Sequence, residues 1–127
     1  MRLLVDTQLL IWSAEDEGRV SRTARDAIAG AEELCFSVAS LWEVAIKFAL
    51  RRPSFTLHPH SLRDGLLAAG FEELPVEAHH ALAVAALPPH HGDPFDRLLV
   101  AQARVESLIL LTADRALSAY GPPVQVV

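Results

Sequence analysis

Short apolar runs alternate along the chain with longer stretches in which apolar residues recur every three or four positions. The runs at 3–5, 34–38 and 108–112 are typical of buried strands, and weaker ones lie at 71–76 and 124–127. Because these strands alternate with helical stretches, the pattern predicts an α/β domain with a central, mainly parallel sheet between two helical layers.

Turn residues such as Pro53, Gly70 and Pro88 mark where predicted helices end. The predicted helices cover residues 7–14, 23–33, 40–52, 60–69, 76–87, 93–107 and 113–121. No repeat or low-complexity tract separates these elements, so residues 1–127 are expected to form a single domain.

Composition narrows the class of protein. Hydrophobic residues make up 51% of the chain, which favours a packed core over a disordered tail. The single cysteine, Cys35, lies in an apolar run and is expected to be buried, so no internal disulfide forms. Asp6 interrupts the first apolar run, and no run reaches the roughly 20 residues that cross a bilayer. We therefore expect a soluble, cytoplasmic protein with no membrane association.

The chain carries a formal net charge of −5, with 16 acidic residues against 11 lysines and arginines. This balance is the opposite of that in proteins that bind nucleic acid through charge alone. It is compatible with a nucleic-acid enzyme whose carboxylates surround a divalent cation, because the cation supplies positive charge that the sequence does not count.

Two acids follow predicted strands and should lie at the carboxyl edge of the sheet, where α/β proteins bind ligands. Asp6 comes directly after the first strand, and Asp114 comes two residues after the strand that ends at Thr112. Each also has a structural explanation. Asp6 fits a helix N-cap, and Asp114 fits the first turn of a helix that Thr112 would cap.

A third acid, Glu43, lies in the helix after the second strand, and two structural explanations for it stay open. With Ser40 it forms the sequence pattern of a capping box. With Lys47 it has the i, i+4 spacing of a helical ion pair. Either would account for the glutamate without a functional role.

The stretch HGDPFDRLLVAQA (91–103) contains two aspartates that both fit the start of a helix. Asp93 suits the N-cap, and Pro94 suits the first turn. The positions three, four and seven residues after Asp96 are all apolar: Leu99, Val100 and Ala103. A carboxylate above a buried apolar stripe is costly unless it is paired or binds a cation. Asp96 is therefore the predicted ligand and Asp93 the predicted cap.

Four carboxylates that meet at one edge of a sheet repel each other unless a cation lies between them. The predicted set is Asp6, Glu43, Asp96 and Asp114. Ligation by oxygen alone favours Mg²⁺ or Mn²⁺. The chemistry that suits such a site is hydrolysis of a phosphodiester by metal-activated water.

In the segments LLVDTQLLIW, SLWEVAIK, DPFDRLLVAQA and LLTAD, taken in this order and spacing, the chain resembles PIN domains, and more closely the VapC toxins. The resemblance covers nearly the whole chain. It implies a three-layer α/β/α PIN fold and a Mg²⁺- or Mn²⁺-dependent endoribonuclease that cuts particular RNAs, commonly tRNA or ribosomal RNA. It further implies a homodimer that a VapB-type antitoxin holds inactive.

By position, the resemblance places the family's catalytic and metal-binding acids on the quartet that the spacing selects: Asp6, Glu43, Asp96 and Asp114. It places Thr112 where its hydroxyl would steady a ligand, and it includes Asp93 beside the third acid. Arg97, Arg51 and Arg52 are candidates for contacts with RNA phosphates. The alternative for these arginines is a solvated face or a favourable charge at a helix end.

Two other functions stay open. An aspartate-based phosphatase would use Asp6 as its nucleophile, but such enzymes usually need a second carboxylate two residues later, where this chain has Gln8. A PIN-like module could instead bind RNA or protein without catalysis, which the intact quartet disfavours. His90 and His91 lie in a proline-bounded loop near the predicted acids, where a contact with RNA is an alternative, but they are not among the predicted site residues. Trp12 and Trp42 are interpreted as core or interface anchors.

Overall fold

The computed structural model describes residues 1–127 and contains five strands in one sheet. The strands are β1 (Arg2–Val5), β2 (Glu33–Ser37), β3 (Glu72–Leu74), β4 (Ile109–Thr112) and β5 (Val124–Val126). Their order is β3-β2-β1-β4-β5, and every neighbouring pair is parallel. The predicted α/β fold with a parallel sheet is confirmed.

Helices connect the strands at the positions that the periodicity predicts, with changes at their ends. The α-helices are α1 (Thr7–Glu15), α2 (Arg22–Ala29), α3 (Val38–Ala49), α4 (Pro59–Ala68), α5 (Ala78–Ala83) and α6 (Pro94–Glu106). Short 3₁₀ helices cover Glu17–Arg19, Val84–Ala86 and Arg115–Tyr120. The predicted helix at 76–87 is thus an α-helix with a 3₁₀ end, and the one at 113–121 is 3₁₀ only. None of these helices combines the length and apolar character of a membrane span.

The two faces of the sheet carry separate hydrophobic cores, which makes the domain three-layered. In β1, Leu3 and Val5 belong to one core and Leu4 to the other, as the alternation of side chains along a strand requires. The first core packs β1 and β2 against α1 to α4. The second buries the apolar stripe of α6 and includes Cys35, which is buried as predicted.

Strand order places a topological switch point between β1 and β4. From β1 the chain moves outward to β2 and β3, and then returns to add β4 and β5 on the other side of β1. The connections on the two sides of such a point leave in opposite directions and open a crevice at the carboxyl ends of the strands. Asp6 and Asp114 follow these two strands, so the topology alone brings them to one crevice.

Helix α3 begins earlier than the sequence pattern predicts. Ser37 is its N-cap, and the Ser37 hydroxyl accepts a hydrogen bond from the Ala39 N–H at 3.0 Å. Ser40 therefore lies inside the helix, where its hydroxyl is 2.8 Å from that of Thr7. The capping-box explanation of Glu43 is wrong because the helix has already begun before Ser40.

A buried hydrogen-bond network links α6 to β2. The Ser37 hydroxyl donates to Gln102 Oε1 at 2.6 Å, and Gln102 Nε2 donates to the Pro75 carbonyl at 3.2 Å. Ser37 and Gln102 are both fully buried. The amide thus satisfies polar groups that water does not reach.

We expect Gln102→Ala to lower the free energy of unfolding by about 2–3 kcal/mol, because it leaves buried polar groups without partners and opens a cavity. Urea unfolding measures this loss. Gln8→Ala, on the exposed side of α1, is the matched control and should change stability by less than about 0.5 kcal/mol. Equal effects of the two substitutions would contradict the role of the network.

Candidate active site

A cavity of about 350 Å³ opens at the switch point between β1 and β4. Five acidic residues line it: Asp6, Glu43, Asp93, Asp96 and Asp114. Lys47 is the one basic residue in the lining. The structure therefore brings the whole predicted quartet into one pocket, with Asp93 beside it.

Asp6 is the most deeply buried acid of the pocket, with 4% of its surface exposed. Its Oδ1 accepts the Leu9 N–H at 2.9 Å, so Asp6 is the N-cap of α1, as predicted. Its Oδ2 accepts a hydrogen bond from the Thr112 hydroxyl. Burial raises the pKa of Asp6, although these two hydrogen bonds oppose the shift. Capping and a place in the acidic pocket therefore coexist in one side chain.

Thr112 ties the two strand ends together. Its hydroxyl donates to Asp6 and accepts the Asp114 N–H at 3.0 Å. Asp114, and not Thr112, is the N-cap of the 3₁₀ helix Arg115–Tyr120, through a hydrogen bond of 2.9 Å from the Ala116 N–H to Oδ1. The prediction that Thr112 is the cap is thus wrong by two residues. Thr112 instead fixes two acids of the pocket relative to each other.

Glu43 reaches the pocket from α3. Its Oε2 lies 3.3 Å from Lys47 Nζ, so the ion-pair explanation of Glu43 is confirmed. Its Oε1 is buried and has no hydrogen-bond partner. A buried carboxylate oxygen without a partner is costly. The ion pair therefore explains the position of Oε2 but not the burial of Oε1.

Asp93 is the N-cap of α6, as the sequence predicts, and Asp96 lies in the first turn of this helix. Asp93 Oδ1 accepts the N–H groups of Phe95 at 2.8 Å and of Asp96 at 3.1 Å, so Asp93 is the cap. Leu99, Val100 and Ala103 below Asp96 are fully buried. Burial, followed by the nearby charge of Asp93, raises the pKa of Asp96 to about 7.

The acidic pocket meets three tests for a divalent cation. Its donors are carboxylate oxygens, which Mg²⁺ and Mn²⁺ prefer. Glu43 Oε1 lacks a partner that a cation would supply. The pKa values of Asp6 and Asp96 are raised by burial and by neighbouring carboxylates, a cost that a cation between them removes. The residues present fit such an ion.

His91 lies at the pocket mouth and is not among the site residues that the sequence predicts. Its Nε2 is 3.3 Å from Asp114 Oδ2 and 3.7 Å from Asp96 Oδ2. Its Nδ1 accepts the Asp93 N–H at 3.1 Å. The residue precedes α6 in an irregular loop, and no periodic pattern in the sequence indicates where a loop side chain points. Its nearness to Asp93 in the chain was the one available signal.

The three arginines predicted to contact RNA lie in different settings. The Arg97 guanidinium donates to the Pro88 carbonyl at 3.0 Å, the Tyr120 hydroxyl at 3.1 Å and the Val84 carbonyl at 3.3 Å. It is committed to its own chain. Arg51 and Arg52, by contrast, are exposed just beyond α3.

The two tryptophans also differ from each other. Trp12 packs against the first core and lines the acidic pocket, with the Arg19 guanidinium 4.4 Å from its ring. Trp42 is 61% exposed and contacts the Phe95 ring edge-on at 5.1 Å. Trp42 is therefore not a core residue, and an interface role for it stays a prediction.

A parallel sheet between helical layers, with carboxylates gathered at its switch point, defines an α/β/α domain with an acidic pocket. The PIN domain family matches residues 3–121. The chain belongs to the PIN domain family, which confirms the resemblance seen in the sequence.

Individual proteins support this assignment. The chain is 30% identical over 122 residues to ribonuclease VapC22 of Mycobacterium tuberculosis strain ATCC 25618 / H37Rv, covering 95% of this chain and 93% of the relative. Its fold is similar to VapBC2 of Rickettsia felis bound to a promoter DNA fragment, with a TM-score of 0.73, 14% identity and coverage of 100% and 98% of the two chains. The fold is also similar to that of DNA-bound VapBC of Salmonella typhimurium, with a TM-score of 0.70 and 15% identity. This match covers 100% of this chain and 97% of the other.

We expect Asp96→Asn to stabilise the protein in EDTA at pH 8. The pKa of Asp96 is raised from 3.8 to about 7, so the ionised form is the one that folding disfavours. This destabilisation is absent below pH 3.8, grows across the window between 3.8 and about 7, and is complete above it. The melting temperature of Asp96→Asn should therefore exceed that of wild type by several degrees at pH 8, with little difference at pH 4.

The exposed Asp26→Asn substitution on α2 is the matched control and should leave the melting temperature unchanged at both pH values. Adding Mn²⁺ should reverse the order of the two proteins, because the cation stabilises the folded state that binds it more tightly. A lower melting temperature of Asp96→Asn than of wild type in EDTA at pH 8 would show that the ionised Asp96 carboxylate does not destabilise the fold.

Proposed function

We propose that this protein is a Mg²⁺- or Mn²⁺-dependent endoribonuclease that acts as the toxin of a type II toxin–antitoxin pair. The observation that carries the proposal is the convergence of Asp6, Glu43, Asp96 and Asp114 on one pocket, where Glu43 Oε1 is buried without a partner. Membership of the PIN domain family and the similarity to a protein named ribonuclease VapC22 support it.

In the proposed site, Asp6, Asp96 and Asp114 would hold the metal, and Glu43 would complete its shell or orient the attacking water. A bound Mg²⁺ or Mn²⁺ would supply a lowered pKa for water and positive charge against the phosphate. Thr112 fixes the Asp6 carboxylate through its hydroxyl, and Asp93 fixes the first turn of α6 that carries Asp96. The pocket is thereby held in shape from β1, β4, α3 and α6.

The exposed side of the pocket suggests where the RNA backbone lies. Lys47 lines the acidic pocket and also a shallow neighbouring groove that contains Arg52. Arg51 is exposed next to them. These cations continue from the acids along the end of α3, so a phosphate backbone entering the pocket would meet them first. Arg97 is not part of this path, because its guanidinium is bound to its own chain.

The proposed partners are a VapB-type antitoxin, an RNA substrate such as tRNA or ribosomal RNA, and a second copy of the chain. The two similar solved structures are VapBC complexes bound to DNA, which supports an antitoxin partner. We place the reaction in the cytoplasm, where tRNA and ribosomal RNA are found.

The phosphatase alternative finds little support. Gln8 is exposed at the position where an aspartate-based phosphatase needs its second carboxylate. Asp6 Oδ1 and Oδ2 each already accept a hydrogen bond, which weakens Asp6 as a nucleophile. A binding module without catalysis would have no use for four carboxylates in one pocket, two of which have pKa values raised mainly by burial.

We expect purified protein, freed from any antitoxin, to cleave a structured RNA when Mg²⁺ or Mn²⁺ is added and not in EDTA. Asp6→Asn and Asp96→Asn should each lower the cleavage rate by at least about 100-fold, because each removes a ligand charge. Gel analysis of end-labelled RNA measures the rate.

Asp93→Asn is the matched control, since asparagine still caps a helix, and it should retain most of the activity. Cleavage in EDTA, or cleavage by Asp96→Asn at the wild-type rate, would refute the metal-dependent mechanism. Loss of a terminal phosphate from the RNA without internal cuts would favour the phosphatase alternative.

We expect Arg52→Ala to raise the KM for RNA severalfold while changing kcat little, because a phosphate contact outside the acids contributes to binding alone. Steady-state cleavage at several RNA concentrations separates the two constants. Arg22→Ala, an exposed arginine of α2 outside the pocket lining, is the control. An unchanged KM in Arg52→Ala would move the RNA path away from the end of α3.

A further inference from the structure

The mouth of the acidic pocket contains an imidazole that the proposed mechanism does not use. His91 is 19% exposed at its side chain, and its Nε2 lies between the Asp114 and Asp96 carboxylates at 3.3 and 3.7 Å. One ring nitrogen and the two carboxylate oxygens lie close enough together to be taken as a site in which histidine is itself a metal ligand. The hydrogen bond at the other ring nitrogen shows whether Nε2 is free to bind a metal or carries a proton that it can donate to the acids.

The Asp93 N–H donates to His91 Nδ1 at 3.1 Å, so Nδ1 must present a lone pair. A neutral imidazole has one protonated and one unprotonated nitrogen. The proton is therefore on Nε2, the nitrogen that faces the two acids. A protonated nitrogen has no lone pair for a metal, and it can donate to a carboxylate instead.

We propose that His91 is a positioning residue whose Nε2–H orients the Asp114 and Asp96 carboxylates toward the metal from outside its coordination shell. The inference rests on the proposed function. It assigns to His91 the role that outer groups commonly have in metal sites, where they fix the direction of a ligand oxygen.

The local chain is built to hold the ring in this place. The Asp93 backbone fixes His91 through Nδ1, and the Asp93 side chain fixes the first turn of α6 through the Phe95 and Asp96 N–H groups. One residue thus sets both the imidazole and the carboxylate that it faces. On the other side, Asp114 Oδ1 is held by the Ala116 N–H, which leaves Oδ2 toward His91.

Two substitutions separate the contacts of His91. His91→Gln keeps an N–H donor at about the reach of Nε2 but loses the ring acceptor for the Asp93 N–H. His91→Asn keeps an acceptor for the Asp93 N–H, as in an Asx turn, but its amide is too short to reach the acids. A role limited to shaping the loop predicts that asparagine is tolerated and glutamine is not. Our proposal predicts the reverse.

The experiment measures Mn²⁺ binding to the full chain by the loss of the free-ion electron paramagnetic resonance signal. We expect His91→Asn to weaken binding by about 10- to 100-fold, as removal of an outer group typically does, and His91→Gln to bind nearly as wild type does. The electron spin echo of bound Mn²⁺ in the wild-type protein should show no directly coordinated nitrogen. Melting temperatures in EDTA check that all three proteins are folded.

Each contrary result has a distinct meaning. Equal Mn²⁺ affinity of the three proteins would overturn the role of His91 and leave the proposed function standing. Tighter binding by His91→Asn would overturn it too, by showing that the imidazole competes with the cation. A coordinated nitrogen that disappears in His91→Gln would show that His91 is a ligand instead. Absence of Mn²⁺ binding by wild type would overturn both this inference and the proposed function.

Discussion

Burial of carboxylates close together at one crevice is the constraint on which the rest of this structure depends. Asp6, Glu43, Asp96 and Asp114 come from four different elements, and burial raises the pKa of Asp6 and Asp96. The helix caps among these acids stabilise the fold, but burial of their charged forms close together opposes folding. The surrounding hydrogen bonds hold the acids together at a cost that a divalent cation would remove. This explains why the pocket is interpreted as a site and not as a chance cluster.

The same side chains also start the helices around the pocket. Asp6 caps α1, Asp93 caps α6, and Asp114 caps the 3₁₀ helix Arg115–Tyr120. A parallel sheet directs helix N-termini and strand ends to the same edge, so caps and ligands necessarily lie near each other. Each helix N-terminus also presents partial positive charge, which lowers the cost of ionised acids there. Local structure and site chemistry are therefore coupled, and a capping role does not argue against a functional one.

Two side chains of the protein face the acids of the pocket. Lys47 pairs with one oxygen of Glu43, and the His91 ring faces Asp96 and Asp114 from the mouth. Neither of them gives Glu43 Oε1 a hydrogen-bond partner. Lys47 is the one basic residue in the lining, so the negative charge of the acids is only partly offset, as a cation site requires.

Much of this protein is determined by its sequence. Apolar runs identified the strands, and the stripe below Asp96 distinguished that residue from Asp93 because helical periodicity is a local property. Tertiary structure decided what periodicity does not encode. The N-cap of α3 is Ser37 and not Ser40. The Ser37 hydroxyl bonds to the Ala39 N–H and also to Gln102 on a distant helix. The Arg97 guanidinium donates to the Tyr120 hydroxyl, and the His91 ring lies beside Asp114. These outcomes depend on contacts between residues far apart in the chain, or on loop conformation, and neither leaves a repeating pattern in the sequence.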